Sequence, residues 1–158
     1  MSRYILSALV ENRAGVLSRI SGLFTRRGYN IDSLSVAETE NPRVSRMTIS
    51  VRADEAMAEQ IKKQIEKQVD VLEVEEMGYF TSVVREHVLI KIAAAAENRL
   101  SVIAVADIFR ANVIDVSPET MMIELTGDTT KVDAFVEVVR PFGIRQVVRS
   151  GVTALRRG

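Results

Sequence analysis

Cysteine is absent from the 158 residues, and His87 is the only histidine. Disulfides, thiolate metal sites and thiol redox chemistry are therefore excluded, and a lone imidazole makes a zinc centre a poor expectation. An excess of either charge is also missing, since 21 Lys and Arg are balanced by 21 Asp and Glu. No overall field draws the chain to phosphates or to an anionic membrane surface, so nucleic acid is a poor first guess. No apolar stretch approaches the ~20 residues that span a bilayer. Met1-Ser2-Arg3-Tyr4 enters an apolar run at Ile5 without the long apolar core and cleavage site of a secretory signal. A cytoplasmic chain is expected.

The usual catalytic patterns are lacking as well. Gly28 and Gly78 stand alone, not in a phosphate-cradling GxGxxG or Walker-type loop, and no serine lies in a nucleophile elbow. Glu75 and Glu76 adjoin and should face opposite sides of a strand, which does not suit joint acid/base work. His87, between Glu86 and Val88 at the start of a strand, reads as a surface or structural residue. The expectation is a chain with no catalytic site and no metal of its own.

What is present is a repeat. Met47, Ile49 and Val51 alternate with polar residues in the period-two pattern of a half-buried strand, and Asp54 then opens a helix. A shift of 74 positions gives Met121, Ile123, Leu125 and Asp128. The helices that follow obey the same shift: Ala58, Ile61 and Ile65 answer to Val132, Phe135 and Val139, apolar positions three and four apart. Glu-Asn-Arg occurs at Glu11–Arg13 and again at Glu97–Arg99, each after an apolar strand and before an amphipathic helix.

Each half thus reads strand, helix, strand, strand, helix, strand. The first half predicts strands near 3–10, 31–38, 45–52 and 71–77, with helices near 15–27 and 54–68; the second predicts strands near 86–95, 112–117, 121–126 and 144–150, with helices near 99–110 and 129–140. The fold class is α+β, with two ferredoxin-like βαββαβ domains in tandem over 3–78 and 86–158 and a linker at 79–85. In the first strand Tyr4, Leu6, Ala8 and Val10 point one way and Ile5 and Leu9 the other, so both sheet faces need cover. A second copy of the chain is the expected cover, and at least a dimer follows.

The most informative stretch is Glu11-Asn12-Arg13-Ala14-Gly15-Val16-Leu17, a turn from strand into helix. A helix start offers unpaired backbone N–H groups and the positive end of the dipole, so a carboxylate can be held there. Gly15 would let a ligand approach the backbone closely. The amide oxygens of Asn12 and Asn30 could accept from an ammonium group, and Ile31, Val16 and Leu17 offer apolar surface to an aliphatic side chain. Spacing alone equally allows Asn12 as a turn residue or cap, Gly15 as a turn glycine and Gly28–Asn30 as a helix stop.

The wider context resolves this by resemblance. Tyr4-Ile5-Leu6-Ser7 with Glu11 to Ile20 resembles the opening of the ACT domain in acetolactate synthase small regulatory subunits, and Arg27-Gly28-Tyr29-Asn30-Ile31-Asp32-Ser33-Leu34 resembles that family's most recognisable segment. Ser45 to Ile49 and Val69-Asp70-Val71-Leu72 continue the likeness. Ile108 to Ala111, Ile114-Asp115-Val116, Glu124 to Gly127 and Arg149-Ser150-Gly151 resemble its C-terminal domain, so the likeness covers nearly the whole chain.

The resemblance implies a subunit that binds the catalytic large subunit, raises its activity and confers feedback inhibition by valine or a related branched-chain amino acid. It implies an effector site at the interface of two ACT domains in a homodimer. Asn12, Ala14, Gly15, Val16 and Leu17 would come from one chain, and Asn30 with Ile31 from the other. Thiamine diphosphate, magnesium and FAD would belong to the catalytic partner, with no cofactor in this chain. A free-standing ACT-repeat regulator of another protein would share the ligand site, but the C-terminal half contains no basic helix-turn-helix-like element to support a transcriptional role. The Glu38–Val44 hairpin loop is read as a mobile tip or a contact with the catalytic subunit, and the basic tail Arg156-Arg157 as solvated.

Overall fold

The alternation around Met47–Val51 becomes β3 (Val44–Ala53), the best-buried strand of the first sheet in the computed structural model, which describes residues 1–158. Met47, Ile49 and Val51 stand opposite Ala8, Leu6 and Tyr4 of β1 (Ser2–Glu11), so one face of the antiparallel pair is apolar throughout. α1 (Val16–Arg27) and α2 (Glu55–Glu66) cover that face, sinking Val16, Ile20, Leu23 and Phe24 of the one and Ile61 and Ile65 of the other into a single core. β2 (Ile31–Glu38) and β4 (Val71–Glu76) complete an antiparallel sheet of order β2-β3-β1-β4.

The second sheet repeats the plan with β5 (Ser82–Ala93), β6 (Asn112–Val116), β7 (Thr120–Gly127) and β8 (Ile144–Arg156) in the order β6-β7-β5-β8. Its core joins Val88, Ile90 and Ile92 to Met121, Ile123 and Leu125, beneath Val102 and Ala106 of α3 (Arg99–Ile108) and Val132, Phe135 and Val139 of α4 (Thr129–Val139). Every apolar position matched by the shift of 74 is buried in both halves. Asp54 and Asp128 are matched too: each is the N-cap of its helix, accepting from Met57 N–H at 2.7 Å and from Lys131 N–H at 2.9 Å.

Gly28 ends α1 as expected, in the left-handed region at φ 70°, while Tyr29 N–H bonds back to Phe24 O at 3.0 Å. At the corresponding end of α3 that conformation is carried by Arg110, at φ 58°. Two boundaries differ from the sequence reading. β5 begins at Ser82, so the expected linker 79–85 is already strand in its second half. β8 runs on to Arg156, six residues beyond the expected end at 150.

That extension changes which residues pack together. The compact units are Met1–Val83 with Gly151–Gly158, and Val84–Ser150, so the last residues assigned by sequence to the second domain belong with the first sheet. They lie on its helix-free face, where Ser33 and Ser35 of β2, Ser50 and Thr48 of β3 and Ser7 of β1 are in register. Val152 N–H reaches Ser33 Oγ at 3.4 Å, Arg156 pairs with Glu75 at 3.2 Å, and Arg157 N–H bonds to Thr81 O at 2.8 Å. Ser7, Thr48 and Ser50 are buried as a result. The second face is therefore covered in part by the chain's own residues 151–156, a cover that the sequence reading did not include, and Arg156 is paired, not merely solvated. The hydroxyls of Ser7, Thr48 and Ser50, which share this face with Ile5 and Leu9, offer hydrogen-bond partners to a strand backbone.

Candidate functional site

Strand β1 delivers the chain to Glu11, whose N–H bonds to Asp70 O at 2.9 Å, and the next four residues, Asn12 to Gly15, make the turn into α1. Asn12 is fixed twice: its N–H bonds to Arg43 O at 2.8 Å and its Nδ2 donates to Pro42 O at 2.9 Å. This commits the amide NH2 to the β2–β3 hairpin and leaves acceptance to Oδ1, the role expected of it toward an ammonium group. The hairpin is itself tied: Thr39 N–H bonds to Val44 O at 2.9 Å, Val44 N–H to Asn41 O at 3.0 Å, and Arg43 N–H to Asn41 Oδ1 at 3.0 Å. The hairpin, bonded within itself, supports Asn12 from the side of β2 and β3.

Gly15 occupies the N-cap of α1 with φ 89°, a conformation that costs an L side chain about 1–2 kcal/mol. No side chain caps this helix. Val16 N–H bonds to Arg13 O at 3.5 Å and Arg19 N–H to Gly15 O at 3.0 Å, which leaves the Leu17 and Ser18 N–H groups open, and the positive dipole end faces outward at a turn whose residues Asn12 to Gly15 are all exposed. At the matching junction of the second unit the helix likewise has no side-chain cap, but the turn is occupied by the protein itself. There the Arg99 guanidinium fills the turn, donating to Ala94 O at 2.9 Å, Ser117 O at 2.5 Å and Pro118 O at 3.0 Å.

The residues singled out by sequence fall into two groups. Asn12, Ala14, Gly15 and Leu17 are exposed together at the start of α1. Val16 turns its side chain into the core, so a ligand at this turn could meet only its backbone. Asn30 is exposed and Ile31 half-buried beyond the other end of the same helix. Twelve helical residues separate the groups, about 18 Å at 1.5 Å per residue. One amino acid cannot touch both ends within a single chain.

A charged cluster underlies the turn that sequence reasoning did not single out. The Asp70 carboxylate, only 3% exposed at the α2–β4 junction, accepts from Arg13 Nη2 at 2.6 Å and from Arg19 Nε at 2.7 Å. Burial pushes its carboxyl group up, but the hydrogen bonds from Arg19 and then Arg13, with their positive charge, outweigh this and hold it below the ordinary carboxylate range. Arg13 also pairs with Glu11. Arg19 leans over the turn: a Cβ placed on Gly15 would stand 3.0 Å from its Nη1. The available signal was a single carboxylate in the apolar run Val69-Asp70-Val71, because a charge in such a setting is buried only with partners.

Elsewhere, Glu86 is buried against Arg149, whose Nε and Nη2 approach it at 2.5 and 3.0 Å while Nη1 reaches Asp133 at 2.8 Å. His87 Nε2 lies 3.2 Å from Glu124 Oε2 on the half-exposed sheet surface. No group of three acidic or imidazole side chains is placed to hold a metal ion, and no helix is long and apolar enough to cross a membrane.

Comparison with known proteins finds relatives over nearly the full length of the chain. Residues 6–73 match the family described as the AHAS small subunit-like ACT domain, and residues 85–158 match the small subunit of acetolactate synthase. The chain is 46% identical to the probable acetolactate synthase small subunit of Methanothermobacter thermautotrophicus, covering 98% of this chain and 93% of that one. It is 49% identical to the acetolactate synthase isozyme 3 small subunit of Escherichia coli K12, covering 99% and 96%. The crystal structure of the acetolactate synthase small subunit from Thermotoga maritima superposes with a TM-score of 0.91 at 37% identity, over 100% of this chain and 99% of that one.

Proposed function

This chain belongs to the family of acetolactate synthase small subunits, and from that premise we propose that it activates a thiamine-diphosphate-dependent catalytic large subunit and subjects it to feedback inhibition by valine. It carries no chemistry of its own and acts in the cytoplasm, in branched-chain amino-acid biosynthesis. The observation that carries the reading is the uncapped, outward-facing start of α1 behind Gly15. Backbone N–H groups there receive the effector's carboxylate, the Oδ1 atoms of Asn12 and Asn30 receive its ammonium, and its aliphatic side chain lies against Leu17 and Ile31. The half-sites lie about 18 Å apart along α1, so the site is completed by a second copy: Asn12 and Gly15 from one protomer, Asn30 and Ile31 from its partner.

Valine then acts as a clamp between two ACT domains. It regulates only through a difference in affinity between the arrangement it holds and the arrangement that activates the large subunit. The charges suit such a ligand, because Glu11, Arg13, Arg19 and Asp70 together are neutral, as is a zwitterionic amino acid.

The test is calorimetric titration of the purified chain and of its complex with the large subunit, using L-valine and, as control, L-lysine. Saturable heat with valine alone is expected, with loss of synthase activity over the same range. Gly15→Asp places a carboxylate where the effector's carboxylate would sit and within reach of Arg19, and it should abolish both heat and inhibition. A Gly15→Asp complex that stays fully valine-sensitive would sink the proposed site.

A further inference from the structure

We propose that Asp70 is the positioning residue of the effector turn and acts on it through Arg19; this rests on the reading of the turn as the valine site. Asp70 touches no ligand in this account. It grips the turn from below at three points: its carbonyl oxygen holds Glu11 N–H, its Oδ1 holds Arg13 Nη2, and its Oδ2 holds Arg19 Nε and Nη2 at 2.7 and 2.6 Å. The three gripped residues flank Asn12, Ala14 and Gly15 on both sides. The part of the turn offered to a ligand is thus fixed by a residue more than 50 positions away, at the junction where α2 gives way to β4.

Arg19 is the member that reaches the site. Its Nε and Nη2 are turned to Asp70, which aims Nη1 at Gly15, 3.0 Å from where a Cβ would be. Its side chain remains 49% exposed, so without Asp70 its guanidinium is free to swing into solvent. The helix start would then lose a fixed neighbouring cation, while the backbone bond from Arg19 N–H to Gly15 O at 3.0 Å stays in place. Charge-assisted bonds of this length are among the stronger ones available to a side chain, and both arginines share one buried acceptor. A turn that keeps its binding geometry only a tenth of the time binds its ligand with an apparent constant ten times weaker.

The experiment is a double-mutant cycle in the complex with the catalytic subunit, reading the valine concentration for half-inhibition in Asp70→Asn, Arg19→Gln and the double variant. Each single change should raise that concentration about tenfold or more, and the double should raise it no further than the larger single. A purely structural role for Asp70 would lower thermal stability but give independent effects on valine, and additive effects in the double variant overturn the proposal. If Asp70→Asn does not fold, Arg19→Gln decides alone, because that side chain is half exposed and leaves Asp70 paired with Arg13. Asn12→Ala separates the two levels. Inhibition lost in Asn12→Ala but within twofold of normal in Asp70→Asn and Arg19→Gln overturns the positioning role and leaves the site standing; inhibition unaffected in all of them, or absent from the parent complex, overturns both.

Discussion

Asp70 also makes a prediction of its own at the scale of one residue. Its folded carboxyl is held below the unfolded value of about 3.9 by Arg19 and Arg13, so the folded chain binds its proton less readily than the unfolded chain does. Its contribution to stability is therefore complete above about pH 4 and disappears as pH falls through the depressed folded value. Asp70→Asn should melt below the parent at pH 7, and the gap should narrow as the pH is taken from about 4 downward. A gap in melting temperature that stays constant to pH 3 would show that the ion pairs contribute nothing. Single-residue legibility was uneven here for a simple reason. Gly28 and Asp54 act on neighbours within a few positions, so their roles could be read locally. The partners of Asp70 are 51 and 57 positions distant, and no local pattern encodes them.

Among elements, the repeated strand-and-helix segment was the most legible, because cap, alternation and helical period all agree. Asp54 and Asp128 each bond the N–H three residues on, and the apolar faces behind them are buried without exception. Removing one cap by Asp128→Ala should cost roughly 1 kcal/mol, within the usual range for such caps. Urea unfolding checks this, with an unchanged slope and a lower midpoint expected; an unchanged midpoint would mean that packing of Val132, Phe135 and Val139 alone holds α4. The first helices of the two halves were less alike in sequence, and the structure shows why. α1 starts at an open glycine turn and α3 at a turn filled by Arg99, so the two junctions are built from different residues.

For the molecule as a whole, the order of elements was readable and the partition of the chain was not. Periodicity reports which face of a strand is apolar, but it is silent on which sheet a long strand serves at each end. Val152 and Ala154 alternate with Thr153 and Leu155 as a half-buried strand should, yet nothing local says that Val152 N–H reaches Ser33 or that Gly151 abuts Ser33 and Ser35. Gly151 is the residue that permits it. Its φ is +79°, and a Cβ there would lie 3.0 Å from the Cβ of Ser33 and 3.3 Å from Ser35 Oγ. Gly151→Val combines left-handed strain with a clash and should destabilise the first unit by about 2 kcal/mol or more. Hydrogen exchange should quicken at Ser7, Thr48 and Ser50, while Ile90 and Ile123 of the second unit stay protected. Equal quickening in both units, or none, would refute the assignment of residues 151–156 to the first sheet.

The same strand imposes an order on biosynthesis. The ribosome delivers all of β1 to β4 early, but the segment that dresses their serine-lined face emerges only after the whole of Val84–Ser150 has been made. At roughly 5–20 residues per second that is a wait of several seconds. Through that interval the nascent first unit has its core and its Gly15 turn but a bare hydroxyl face, and it becomes complete only once Leu155 has cleared the exit tunnel.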